Sequence, residues 1–292
     1  MIQRLAIIGV GLIGGSLALS LRRHGAVGEV VGCGRRPEQL EQAVALGVID
    51  RWVGSPAEAV ADAEMAIICV PLRAMRGVFE ALRGAVPPGT VVTDAGSVKG
   101  SVIADAEAVF GEVPPWLIPG HPIAGTERSG VEAAFAELYD QRRVILTPAG
   151  GADEAAFVRV EAMWQEAGAQ VVRMEASHHD EVLAATSHLP HVLAYALVDT
   201  LAGWDDRQEI FEYAAGGFRD FTRIASSDPA MWRDICAANR SYLVRALRRY
   251  QADLERLAEA LAAGEDTRVQ EVFENAREAR AGFLQLLGER GG

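Results

Sequence analysis

A chain of 292 residues with a formal net charge of −12, half of it hydrophobic and 23% charged, has a globular composition and room for two domains. The acidic balance excludes a nucleic-acid surface of the usual basic kind, and no apolar run is long enough to span a membrane. Cys33, Cys69 and Cys236 lie far apart without C-x-x-C spacing, and no basic, apolar leader precedes the first predicted strand. Together these features predict reduced thiols in a cytoplasmic protein.

The chain opens on an apolar run, Leu5 to Ile8, which predicts a buried parallel strand. Gly9, Gly11 and Gly14 follow in G-x-G-x-x-G spacing, with a helix predicted from Gly14 to His24. Gly9 permits a tight turn, Gly11 lets backbone approach a pyrophosphate, and Gly14 lets the helix pack close to the strand. With Leu12 and Ile13 between them, they put an anion site on unpaired first-turn N–H groups. The dinucleotide this implies would also pass the end of the second strand, Glu29 to Gly34, which precedes a helix from Pro37 to Leu46. Such strands commonly end in an acidic residue that bonds the adenosine ribose. Here Gly34 stands at that place, followed by Arg35 and Arg36, so NADP is favoured over NAD.

Met65 to Val70 predicts a central strand, ending at Val70-Pro71 before a helix from Leu72 to Arg83. Thr90 to Asp94 is a further strand, and Asp94-Ala-Gly-Ser97 lies at its carboxyl end. Ser97 suits an N-cap or a site residue equally, and Lys99 is the only lysine in the chain. His121, between Gly120 and Pro122, reads as a histidine displayed on a stiff, irregular loop at the ligand edge. Val144 to Thr147, a helix from Asp153 to Gly168, and Gln170 to Arg173 are expected to complete the sheet domain. Strands alternating with helices at this spacing predict a doubly wound parallel α/β domain, residues 1–175.

From Ser177 the pattern turns wholly helical, giving a second domain over residues 176–292. Ser177-His-His-Asp180 fits a capping box. Ser187-His-Leu-Pro-His191 lies on a helix that Pro190 should kink, and its two histidines lack further ligands at metal spacing. Gly216 to Arg223 combines two glycines with two arginines and two aromatics, and Asp228-Pro229 starts a helix. Leu243, Leu247, Tyr250, Leu254, Leu257 and Leu261 form a heptad-like seam that ends at Gly264. A second amphipathic helix follows, and this hairpin is expected to form a dimer seam.

With these motifs together, the chain resembles the prephenate/arogenate (cyclohexadienyl) dehydrogenases over nearly its whole length. The resemblance rests on Gly9–Ser16, Cys69–Pro71, Asp94–Lys99, Gly120–Gly130, Ser187–His191 and Gly217–Trp232. It implies a Rossmann-type domain followed by a helical dimerisation domain. The implied reaction is NAD(P)-dependent oxidative decarboxylation of prephenate or arogenate in tyrosine biosynthesis. His121 would be the catalytic base and Ser97 its companion at the substrate hydroxyl. Arg223 would bind a substrate carboxylate, His191 would contact substrate, and Glu127 would gate the site. His179, Asp180 and Trp232 also match family positions. The departure is Gly34, where NAD-using members often carry Asp. Two other readings are another Rossmann-type hydroxyacid dehydrogenase and a non-catalytic NAD(P)-binding regulator. The first usually employs a lysine on a helix, which Lys99 near a helix start fits poorly.

Overall fold

The computed structural model describes residues 1–288. Its first part alternates strand and helix: β1 (Ile2–Ile8), α1 (Leu12–Arg23), β2 (Val27–Cys33), α2 (Pro37–Ala45), β3 (Arg51–Val53) and α3 (Pro56–Val60). It continues with β4 (Met65–Ile68), α4 (Leu72–Leu82), β5 (Val91–Asp94), α5 (Lys99–Phe110) and β6 (Leu117–Ile118). These six strands form one parallel sheet in the order β3-β2-β1-β4-β5-β6. The order reverses between β1 and β4, the place where such sheets open a crevice for ligands.

Alternate residues of β1 feed two cores, as a strand covered on both faces requires. Leu5 and Ile7 pack with Leu17, Leu21 and Trp164, whereas Ala6 and Ile8 pack with Ile68, Phe79 and Val92. β3 and α3 were not foreseen: Arg51-Trp-Val53 is too short and too charged for an alternation pattern to register.

Val144–Thr147 and Gln170–Arg173 do not extend this sheet. They form a separate three-stranded sheet of β7 (Gly120–Pro122), β8 (Arg143–Leu146) and β9 (Gln170–Arg173), with α6 (Glu154–Glu166) between the last two. β7 pairs antiparallel with β8, which pairs parallel with β9. His121 therefore lies on a strand and not on a loop, opposite Ile145. Three residues ending in proline cannot announce a strand in sequence, because pairing with β8 alone defines it.

Beyond β9 no described residue is in a strand. α7 (Ala176–Leu183) runs through a π-helical turn (Ala184–His188) into α8 (Leu189–Ala202), with Pro190 in its first turn. The wide turn accommodates a proline that has no N–H to give an ordinary helical bond. α9 (Arg207–Glu212), α10 (Gly216–Thr222), a 3₁₀ turn (Arg223–Ser226) and α11 (Pro229–Ala238) follow. As expected, Asp228 caps α11, accepting from the Ala230 and Met231 N–H groups.

The long helices are α12 (Arg240–Ala262) and α13 (Asp266–Gly288). By compactness the chain divides into one unit of residues 1–240 and another from Ser241 onwards. Within the second unit the heptad-like seam is buried at Leu243 but open toward its far end, with Leu254 48% and Leu261 60% exposed on α12, and Phe273 is 58% exposed on α13. No helix among the described residues is long and apolar enough to cross a membrane.

Candidate active site

The β1–α1 turn fits a dinucleotide by its own geometry. Gly9 has φ +100° and packs so tightly that a Cβ would collide with the Cys69 carbonyl. A Cβ on Gly14 would come within 2.6 Å of the Ile7 side chain. Gly11 differs: its φ of −123° suits any residue, and nothing lies within 4 Å of where its Cβ would stand. The fold alone does not demand glycine there, and the space in front of it is open. Gly11 caps α1 without a side-chain hydrogen bond, and the first turn carries no acidic residue. Its N–H groups, next to Leu12, Ile13 and Gly14, thus offer a partial positive charge to a phosphate.

Val70 and Pro71 follow β4, the neighbour of β1, while Gly34 follows β2 on the other side. Arg35 and Arg36 are exposed and have no ion-pair partner among the described residues. A Cβ on Gly34 would meet only Leu40 at ordinary contact, 3.4 Å.

A second group gathers where β5, α5 and β7 meet. Lys99 is fully buried, its Nζ 2.5 Å from Asp94 Oδ2 and 2.5 Å from the Gly120 carbonyl oxygen. Burial lowers its pKa, opposed by the adjacent Asp94 carboxylate. Asp94 also accepts from the Gly96 and Gly120 N–H groups, so both carboxylate oxygens are occupied. Next to Gly120, His121 is 9% exposed, and its Nδ1 lies 2.9 Å from His179 Nε2. No described residue partners its Nε2. Burial, followed by the charges of His179, Lys99 and His188, pushes the His121 pKa well below the usual imidazole value.

Two capping expectations are corrected here. Ser97 is not an N-cap, since α5 begins after Val98 with no side-chain bond from that residue. Nor does Ser177 form a capping box with Asp180, because α7 starts one residue earlier and is capped at Glu175. Instead Asp180 reaches across to α5, where Oδ1 accepts from Lys99 N and Oδ2 from Gly100 N, each at 2.8 Å. Its Oδ1 also lies 2.8 Å from His179 Nδ1. The backbone carbonyl of Asp180 takes Asn239 Nδ2, which in turn donates to His188 Nδ1 at 3.1 Å. The remaining His188 nitrogen, Nε2, is buried without a partner.

Further along, His191 stacks on Trp232 with ring centroids 3.6 Å apart, and its Nδ1 donates to the Ser187 carbonyl. Arg223 forms an ion pair with Glu127, joining the 3₁₀ turn to the segment after β7. Ser97 is half-buried at the carboxyl edge of β5, with no described bond to His121. The sequence showed His188 only as half of a histidine pair without further metal ligands, and left Lys99 without a role. The fixed spacing of His188 within Ser187–His191 was the signal available for the first, and its solitude for the second.

A parallel sheet with this strand order, a tight glycine turn between its first strand and helix, and a buried histidine beyond its last strand are the features of a nicotinamide-dependent dehydrogenase of Rossmann type. Family models described as prephenate dehydrogenase, nucleotide-binding domain, and prephenate dehydrogenase, dimerization domain, match residues 17–173 and 175–275. The chain belongs to the prephenate dehydrogenase family. It is 38% identical to a cyclohexadienyl dehydrogenase of Zymomonas mobilis over 95% of both chains. The crystal structure of prephenate dehydrogenase from A. aeolicus, in complex with hydroxyphenyl propionate and NAD+, is 36% identical. It superposes with a TM-score of 0.90 over 97% of this chain and 99% of that one. Synechocystis arogenate dehydrogenase superposes with a TM-score of 0.81 at 25% identity, over 96% of this chain and all of that one.

Proposed function

We propose that the chain oxidises and decarboxylates prephenate, arogenate or both, with His121 as base and NADP⁺ as the preferred cofactor. His121 carries this reading. Its Nδ1 is engaged, its Nε2 has no partner among the described residues, and its lowered pKa keeps the ring neutral near pH 7. A neutral imidazole accepts the proton of the substrate's 4-hydroxyl as hydride leaves the same carbon. The bound nicotinamide supplies the hydride acceptor. As the ring carboxylate departs as carbon dioxide, its bonding pair enters the ring, and the proton returns to the oxygen to leave a phenol.

Ser97 bonds the same hydroxyl region in this reading. Arg223 receives a substrate carboxylate by exchanging its Glu127 partner, which makes Glu127 the gate, and His191 lines the site with its ring fixed against Trp232. Gly9, Gly11, Leu12, Ile13 and Gly14 hold the pyrophosphate, with Val70 and Pro71 beside them. The preference for NADP⁺ rests on Gly34, where no carboxylate repels a 2′-phosphate, and on the unpaired Arg35 and Arg36. We also assign the protein to the cytoplasm, divide it functionally into residues 1–175 and 176–292, and take the open seam of α12 as a homodimer contact.

Absorbance at 340 nm, followed with each acid and each cofactor at one ionic strength, tests the reading. The expected result is reduction with at least one acid and a kcat/KM about one to two decades higher for NADP⁺. A native preference for NAD⁺ overturns the cofactor assignment, and no reduction with either acid overturns the reaction.

A further inference from the structure

We infer that His179 and Asp180 are positioning residues that fix which nitrogen of His121 carries its proton, leaving Nε2 as the open base. The inference rests on His121 as the base and adds how that base is set. It follows from donor and acceptor bookkeeping along one chain of contacts. An ionised carboxylate only accepts hydrogen bonds. Asp180 accepts from the backbone N–H groups of Lys99 and Gly100, at 2.8 Å each, at the first turn of α5. At the 2.8 Å contact with Asp180 Oδ1, His179 Nδ1 must therefore be the donor. A neutral His179 then has only a lone pair on Nε2, so at 2.9 Å it accepts from His121 Nδ1–H. His121 is left with an unprotonated Nε2, the one nitrogen without a described partner.

The opposite tautomer of His121 would place two lone pairs face to face across 2.9 Å, between two buried rings. The same chain stabilises the imidazolium that forms when Nε2 takes a proton, because the new charge faces an acceptor that is itself polarised by a carboxylate. The charged and titratable groups that act on His121 are His179 from α7, Lys99 from α5 and His188 from the π turn, with Asp94 bound to Lys99 and Asp180 to His179 behind them. Of these only Asp180 and Asp94 are anionic. Asp94 is occupied by Lys99, and Asp180 reaches His121 only through His179.

Two substitutions separate positioning from packing. His179→Phe removes both hydrogen bonds while filling the space. His179→Gln keeps an amide donor toward Asp180 and a carbonyl acceptor toward His121, since its amide oxygen and nitrogen stand about as far apart as the two ring nitrogens. His179→Phe should lower kcat by about ten- to a hundredfold with KM changed less than about threefold, and should displace the acid limb of the kcat/KM profile from its native position. His179→Gln should restore most of kcat and return that limb.

Long-range proton–nitrogen correlation NMR of the histidine-labelled native enzyme reads the tautomer directly, and Nδ1–H at His121 is expected. An Nε2–H tautomer, or a His179→Phe enzyme with the native pH profile, overturns the inference. If His121→Asn itself leaves kcat within about tenfold, the base assignment fails instead, and the NMR result shows that separately.

Discussion

Lys99 donates to the carbonyl oxygen of Gly120 across 2.5 Å, so the lysine at the start of α5 holds the backbone next to His121. Asp94, its ionic partner, accepts from the N–H of the same glycine. Replacing Lys99 by Met leaves the Asp94 carboxylate buried without its cation, which should cost about 3–5 kcal/mol in urea unfolding. The double variant Lys99→Met with Asp94→Asn should recover part of that loss. A single variant within about 1 kcal/mol of native would show that the pair is not stabilising the β5–β7 junction.

The glycines of the β1–α1 turn should separate by role. Gly9→Ala meets both a collision with Cys69 and an unfavourable φ, so loss of folded protein is expected. Gly11→Ala has open space and an ordinary backbone, so its stability should change by less than about 0.5 kcal/mol. Its cofactor affinity, measured by calorimetric titration, should nevertheless weaken by about tenfold or more, equal to about 1.4 kcal/mol. Unchanged affinity would remove Gly11 from the phosphate site.

Arg223→Ala should act on substrate capture, because it deletes a charge-assisted contact worth about 1.5–3 kcal/mol to a carboxylate. Steady-state kinetics should show KM raised by about one to two decades with a smaller change in kcat. Native KM values for both acids would exclude the residue from the site.

His188 gives the fold an acid sensitivity. Burial is the main cause that lowers its pKa from 6.5 to about 4, with Asp180 opposing and His179 and His191 assisting. The unfolded chain therefore takes up this proton first. The stabilisation is complete above about pH 6.5, declines as pH falls toward 4, and is constant below that, for a total of about 3 kcal/mol. His188→Asn, which keeps an acceptor for Asn239, should flatten this part of the stability profile. Equal slopes for native and variant proteins between pH 6.5 and 4 would count against it.

Removing residues 266–292 deletes α13 and should leave an open apolar stripe on α12, where Leu254 and Leu261 are already exposed. Sedimentation should then show aggregate or a destabilised monomer. A stable, active dimer would show that α13 is peripheral to assembly.

The central sheet was legible because strands covered on both faces must be continuously apolar, as in Met65-Ala-Ile-Ile68, and because the glycine turn has few alternatives. His121 was legible as a residue but not as a strand, since its pairing partners on β8 lie more than twenty residues away. Asp180 was misread for a related reason. A capping pattern is judged from neighbours three residues apart, while the helix that Asp180 caps begins 81 positions earlier. Lys99 had no local signature at all, because the groups that satisfy it come from Asp94 and from Gly120, on different strands.

The bond from Asp180 to the start of α5 crosses the join between the two family segments, which fall on either side of residue 174. The segments are therefore poor candidates for recombination. A nucleotide-binding half transplanted onto a foreign partner would begin α5 with bare amides and present His121 to an undefined neighbour. A helical half exchanged for a foreign one would have to bring an equivalent His-Asp pair with it to keep these contacts.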